Sequence, residues 1–160
     1  MTTPLVPILM GSRSDMGHAE KIGAALEALG IEYELRIGSA HKVPARALEI
    51  LQAYEADPRP KVYITIAGRS NALSGFTDAQ VAAPVIACPP LSSSFGGADI
   101  YSSLRMPSGV APAVVLEPSG AALLAAKILG LSFPEIREKV TALQAANRAR
   151  LLADDEEVQG

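Results

Sequence analysis

Apolar residues in this chain fall into short continuous runs, and amphipathic stretches separate them. Leu5 to Met10 is the first run and reads as a strand. Pro7 is a blemish in it, because proline removes a ladder donor, so the strand is expected to begin late or to be relieved locally. From Met16 to Leu29, residues Ala19, Ile22, Leu26 and Leu29 recur at helical spacing, and Gly30 is placed to stop that helix. Tyr33 to Ile37 predicts the second strand. Val43 to Tyr54 predicts a helix with Pro44 in its first turn, where a missing N–H costs nothing. Lys61 to Ala67 is too continuously apolar for a one-sided sheet. Beyond it the pattern predicts a short helix near Thr77 to Ala82, a strand Val85 to Cys88 and a helical turn at Ala98 to Leu104. A strand Ala113 to Leu116 and an alanine-rich helix Gly120 to Leu129 follow. Pro134 opens a last helix, predicted to reach Leu152 with Ile136, Val140, Leu143 and Asn147 on one face.

Five strand-then-helix passages predict an α/β three-layer sandwich. Its central parallel sheet is flavodoxin-like, covered by helices on both faces and joined by right-handed crossovers. At 160 residues one domain suffices, set at residues 1–152, with 153–160 an acidic, frayed tail. Ligands of such sheets bind beyond the carboxyl ends of the strands. The small polar residues gather there: Gly11-Ser12-Arg13-Ser14-Asp15 after the first strand, Gly38 to Lys42 after the second, Gly68-Arg69-Ser70-Asn71 after the third, and Ser92 to Gly97 after the fourth. Each alone is an ordinary turn. Four of them at one sheet edge predict a site.

The turn Gly11 to Asp15 offers backbone donors at a helix N-terminus, two hydroxyls and a cation, which suits an anion. Asp15 suits ribose hydroxyls better than phosphate. The turn lacks the Lys-Ser/Thr ending of a P-loop and the Gly-x-Gly-x-x-Gly fingerprint, and plain helix capping explains it equally well. His41, one of only two histidines, carries a group that exchanges protons near neutrality; a turn histidine held for structural reasons is the competing account. Lys42 beside it suits a phosphate oxygen. His18 reads as a surface or interface residue, and Cys88 as a buried small hydrophobe without an activating partner. No Gly-x-Ser-x-Gly surrounds the serines at 92–94, so a hydrolase triad lacks support.

Composition narrows the picture further. One cysteine and two scattered histidines cannot make a structural zinc site, and neither a metal nor a cofactor is expected. Fourteen basic against 17 acidic residues, with no cationic run, argue against nucleic acid or an anionic membrane as partner. The start lacks the features of a signal peptide, and no apolar stretch reaches membrane-spanning length, so a cytoplasmic location is expected. The residues support an acid–base enzyme on a phosphorylated small molecule without identifying its reaction.

Taken together, Met10 to Asp15, Ser39-Ala40-His41-Lys42, Ala67-Gly68-Arg69-Ser70-Asn71 and Ser102-Ser103-Leu104-Arg105-Met106-Pro107-Ser108-Gly109 resemble one family. It is the catalytic subunit of phosphoribosylaminoimidazole carboxylase, of de novo purine biosynthesis. The likeness runs from the first strand to the last helix. The family's mutase class, which acts on N5-carboxyaminoimidazole ribonucleotide, has a third-strand loop of the type Ala-Gly-x-Gly-Gly-Ala-Ala-His-Leu-Pro-Gly. Here Ala67 to Gly75 is shorter and has no histidine. That form, with Cys88-Pro89-Pro90, is similar to class II, whose members carboxylate aminoimidazole ribonucleotide (AIR) directly and reversibly with carbon dioxide.

The resemblance implies that His41 is catalytic and moves the proton of the carboxylated ring carbon. It implies that Ser14, Ser39 and Lys42 hold the 5'-phosphate and that Asp15 takes the ribose hydroxyls. Gly11, Ser12, Gly68, Arg69, Ser70 and Asn71 complete the substrate site around the base and the new carboxylate. Arg69 is the expected stabiliser of carboxylate charge, with Arg13 and Arg105 as competitors. No biotin, ATP or metal is implied. The expected assembly is a homo-octamer with sites at subunit junctions, and the helix at 120–129 and the last helix suit an interface. The mutase reaction and a non-catalytic nucleotide-binding module are the alternatives.

Overall fold

The computed structural model describes residues 2–160. Five strands, β1 (Leu5–Met10), β2 (Glu32–Ile37), β3 (Tyr63–Ile66), β4 (Val85–Ala87) and β5 (Ala113–Val114), form one sheet in the order β2-β1-β3-β4-β5. Every pairing is parallel. The helices are α1 (Met16–Ala28), α2 (Pro44–Ala56), α3 (Leu73–Gln80), α4 (Tyr101–Leu104), α5 (Pro118–Leu129) and α6 (Pro134–Gln159).

The alternation of side chains along β1 divides the core into two. Val6, Ile8 and Met10 turn toward Ile22 and Leu26 of α1, the alanines of α5 and the first turns of α6. Leu5 and Leu9 turn the other way, toward Ile50, Leu51 and Tyr54 of α2 and Leu73 of α3. Both faces of the sheet are therefore covered, which is why the inner strands read as unbroken apolar runs. Strand order reverses between β1 and β3, so their carboxyl ends open onto the crevice where such sheets take ligands.

Several boundaries differ from the sequence pattern, each for a physical reason. Strand β1 keeps its expected bounds, and of the two outcomes expected at Pro7 it is the local relief that occurs: Pro7 lies inside the strand, paired with Glu34 of β2. Residues of a parallel strand bond alternately to their two neighbours, and Leu5 donates to Pro60 O on the β3 side. Pro7 faces that same side, and pairing with β3 is limited to an isolated Leu5–Lys61 bridge before the ladder resumes at Ile8–Ile64. The ladder absorbs the missing donor as a gap.

Helix α1 ends as expected. Gly30 takes φ 69°, its N–H donates to Glu27 O, and the Ile31 N–H donates to Leu26 O, a Schellman cap. Helix α3 begins at Leu73, before the expected Thr77. The Asn71 Oδ1 accepts the Ser74 N–H (3.1 Å) and so satisfies a first-turn donor that sequence spacing does not reveal.

The alanines of α5 do not form a surface. Ala121, Ala122, Ala125 and Ala126 are fully buried in the core, where their small side chains let α5 lie close to α1 and the sheet. Helix α6 runs to Gln159, so the expected frayed tail is helical. Alanine and glutamate favour that state, and the Gln159 side chain donates to Asp155 Oδ2 one turn back (2.8 Å). Only the first turns of α6 are buried; Leu143, Leu151 and Leu152 are exposed. Among the described residues no helix is long and apolar enough to cross a membrane.

Candidate active site

At the carboxyl edge of β1 to β4 lies a cavity of about 670 Å³. Four turns wall it, as the sequence pattern predicts. Gly11, Ser12, Ser14 and Asp15 follow β1, while Ser39, Ala40, His41 and Lys42 follow β2. Gly68, Arg69 and Ser70 follow β3, and Pro90 to Ser93 follow β4. Backbone bonds fix the first three turns to one another: the Gly11 N–H donates to Ile66 O (3.0 Å) and the Gly38 N–H to Met10 O (2.9 Å).

In the β1 turn the capping reading holds, and it leaves the turn's polar groups beside the cavity. Ser12 Oγ accepts the Ser14 N–H, and the Ser12 N–H donates to Asp15 Oδ2, a closed capping box. The two serine hydroxyls also hydrogen-bond to each other. The box therefore shapes a turn whose Ser14 and Asp15 still line the cavity. In the β2 turn Ser39 Oγ accepts the Lys42 N–H (3.2 Å), which curls the chain so that exposed His41 and Lys42 both border the cavity. Gly38 lets the turn lie close to α2: a Cβ there would sit 3.3 Å from Ala47 Cα, tighter than ordinary contact. Ala40, Ala67, Ala72, Leu73 and Pro90 supply an apolar portion of the wall.

Arg69 stands at φ 61°, and its neighbours Gly68 and Ser70 also line the cavity. Asn71 does not. Its carboxamide is buried, with Nδ2 donating to Ser74 Oγ and Ser103 Oγ (both 2.9 Å) and Oδ1 accepting the Ser74 N–H. The substrate contact expected of Asn71 is thus replaced by a structural one, because every polar atom of the side chain is already engaged. Pro90 and Leu91 add a further wall, of which the pattern of polar turns gives no sign. The Cys88-Pro89-Pro90 segment of the class II likeness leads from β4 into this wall at the same sheet edge.

His18, expected as a surface or interface residue, is half-buried. Its Nε2 lies 3.1 Å from Cys88 O, and because a carbonyl only accepts, that nitrogen carries the proton. Desolvation lowers the His18 pKa below its ordinary value, partly offset by this bond. Cys88 Sγ lies 3.4 Å from the same nitrogen, so the cysteine does have a neighbour. It is not activated by it. The thiol leans toward Leu116 O (3.6 Å), and burial pushes its pKa up to about 12, with the charge of Glu117 a lesser cause.

The AIR carboxylase family model matches residues 5–150, from β1 well into α6. The chain belongs to the AIR carboxylase family. It is 60% identical over 156 residues to the phosphoribosylaminoimidazole carboxylase of Treponema denticola, covering 98% of each chain. A crystal structure of Treponema denticola PurE superposes with a TM-score of 0.96 at 59% identity, over 98% of this chain and 99% of that one. The human bifunctional phosphoribosylaminoimidazole carboxylase/phosphoribosylaminoimidazole succinocarboxamide synthetase is 50% identical over 127 residues, which are 79% of this chain and 30% of the human one. Within the family the chain is a class II member, with the short Ala67 to Gly75 loop that lacks the mutase histidine.

Proposed function

We propose that this chain catalyses the reversible carboxylation of AIR by carbon dioxide, giving 4-carboxy-5-aminoimidazole ribonucleotide, with His41 as its acid–base group. The observation that carries the reading is the cavity itself. It brings an exposed His41-Lys42 pair, the Ser12-Ser14-Asp15 box and the histidine-free Gly68 to Ser70 loop around one volume large enough for a nucleotide. Ser14, Ser39 and Lys42 hold the phosphate, and Asp15 accepts from the ribose hydroxyls. Gly11, Ser12, Gly68 and Ser70 border the base.

The aminoimidazole is an enamine, so carbon 4 attacks the carbon of carbon dioxide. One carbon–carbon bond forms, and an electron pair of a C=O bond moves onto oxygen. The tetrahedral ring carbon still bears its hydrogen. An imidazole nitrogen of His41 takes that proton, the C–H pair restores aromaticity, and the exposed ring passes the proton to solvent. Decarboxylation is the same path reversed. Arg69, which lines the cavity, is the residue we assign to the new carboxylate charge, and the apolar wall of Ala40, Ala67, Leu73 and Pro90 disfavours water that would compete for it.

The test is turnover of AIR with dissolved carbon dioxide in the absence of ATP, with product resolved chromatographically. Activity only on the N5-carbamate isomer identifies a mutase instead. His41→Asn is expected to lower the carboxylation rate at least about a hundredfold. AIR affinity should stay within about tenfold, or 1.4 kcal/mol. Rate and affinity falling together by a small factor would favour a nucleotide-binding module. We further read the chain as a single catalytic unit that assembles as a cytoplasmic homo-octamer. Exposed Leu91, Phe95, Tyr101 and Leu104 in the segment after β4 and Leu143, Leu151 and Leu152 on α6 support the assembly. A monomer at micromolar concentration in sedimentation would refute it.

A further inference from the structure

The segment that includes the Ser102-Ser103 motif has no role in the chemistry above, yet it grips the loop that does. Among the described residues Arg69 is the only non-glycine with positive φ (61°). An L side chain in that region crowds its own backbone, and the conformation persists only where its surroundings impose it. The surroundings here are specific. The Arg69 N–H donates to Asp99 Oδ2 (3.3 Å), and the Asn71 N–H donates to Ser102 Oγ (2.9 Å). The Ser102 hydroxyl in turn donates to Asp99 O (2.8 Å), with Arg69 O farther off at 3.4 Å. Neither Asp99 nor Ser102 lines the cavity, whereas Gly68, Arg69 and Ser70 do.

We propose that Asp99 and Ser102 are positioning residues for carboxylation, holding the left-handed turn at Arg69 so that its guanidinium and the Gly68 to Ser70 backbone meet the developing carboxylate. The proposal rests on the reading of that loop as the carboxylate side of the site. Stability of the loop's far end is a separate matter, because the Asn71, Ser74 and Ser103 side chains already fix it and the start of α3. The Asp99–Ser102 contacts reach only the backbone of residues 69 and 71. Their loss should therefore misplace the loop without unfolding the protein, and a displacement of about 1 Å at a reacting group can cost about a hundredfold in rate.

Asp99→Ala and Ser102→Ala are compared with Asp99→Asn and Ser102→Thr, which keep an acceptor oxygen at each position. Three quantities are read on the assembled enzyme: amide hydrogen exchange of the peptide spanning residues 68–72, the Kd for AIR, and the kcat for carboxylation. Each alanine variant is expected to speed exchange about fivefold or more, the loss of one hydrogen bond. It should lower kcat about thirtyfold and leave the AIR Kd within about threefold. The conservative variants should recover most of the rate. Faster exchange with unchanged kcat overturns the positioning role, as does a fall in kcat matched by equal losses of AIR affinity and melting temperature. If the wild-type chain does not carboxylate AIR, the carboxylase reading fails on its own. Exchange then decides the anchor, and unchanged protection in both alanine variants overturns it.

Discussion

Asn71→Ala removes a carboxamide that makes three hydrogen bonds inside the protein, to the Ser74 N–H, the Ser74 hydroxyl and the Ser103 hydroxyl. Ser74 is fully buried and Ser103 is 2% exposed, so water does not replace the lost partner. Stranding the Ser74 N–H costs about 1–3 kcal/mol, and each serine oxygen deprived of its donor adds about 0.5–1.5 kcal/mol. A total of about 3 kcal/mol follows, in the range of other changes that break a buried polar network. With a urea dependence of about 2 kcal/mol per molar, the unfolding midpoint should fall by about 1.5 M. The AIR Kd, read by calorimetry under native conditions, should stay within about threefold, because the side chain does not line the cavity. Asn71→Asp should fall between wild type and alanine. It keeps the acceptor for the Ser74 N–H, and both serine hydroxyls can rotate to donate to it, but it buries a charge. An unmoved midpoint with a tenfold weaker AIR Kd would refute the reasoning and return Asn71 to the substrate.

His18 makes stability depend on pH. Its folded pKa lies below the ordinary 6.5, so unfolded chains bind a proton that folded chains refuse. The stabilisation is complete above 6.5 and is lost as pH falls through the lowered folded value, and urea midpoints over about pH 5–8 should show a slope that His18→Gln reduces. An identical slope in the variant would count against this. Cys88, with its pKa pushed up to about 12, should resist iodoacetamide in the folded protein and react once urea unfolds it; stoichiometric labelling at neutral pH without denaturant would contradict the burial. Gly68→Ala places a Cβ 3.3 Å from Pro90 Cγ and presses the β3 turn against the β4 turn across the cavity. Carboxylation should lose about tenfold in kcat/KM while the urea midpoint moves little, and an unaffected rate would show that the wall yields.

What could be read from the chain and what could not differ in range along the sequence. The strands announce themselves through local apolar runs, and each polar turn directly follows one, so a parallel sheet carries all four turns to one edge without any knowledge of long-range contacts. At the site, the contacts that the pattern does not reveal involve partners distant in sequence. His18 meets Cys88 across 70 residues, and the Asn71 carboxamide meets Ser103 across 32. Asn71 illustrates why composition fails there: a small polar residue in a turn suits a ligand and suits a cap equally, and only the position of Ser103 decides between them. Arg69 is harder still, since its residue type argues against the left-handed backbone it adopts. A local conflict of that kind, sustained by contacts from a distant segment, marks a place where the fold holds a loop away from its own preference. In a site otherwise built from ordinary turns, the loop so held is the one that distinguishes direct carboxylation from the mutase form. Its geometry therefore depends on Asp99 and Ser102 as much as on its own residues.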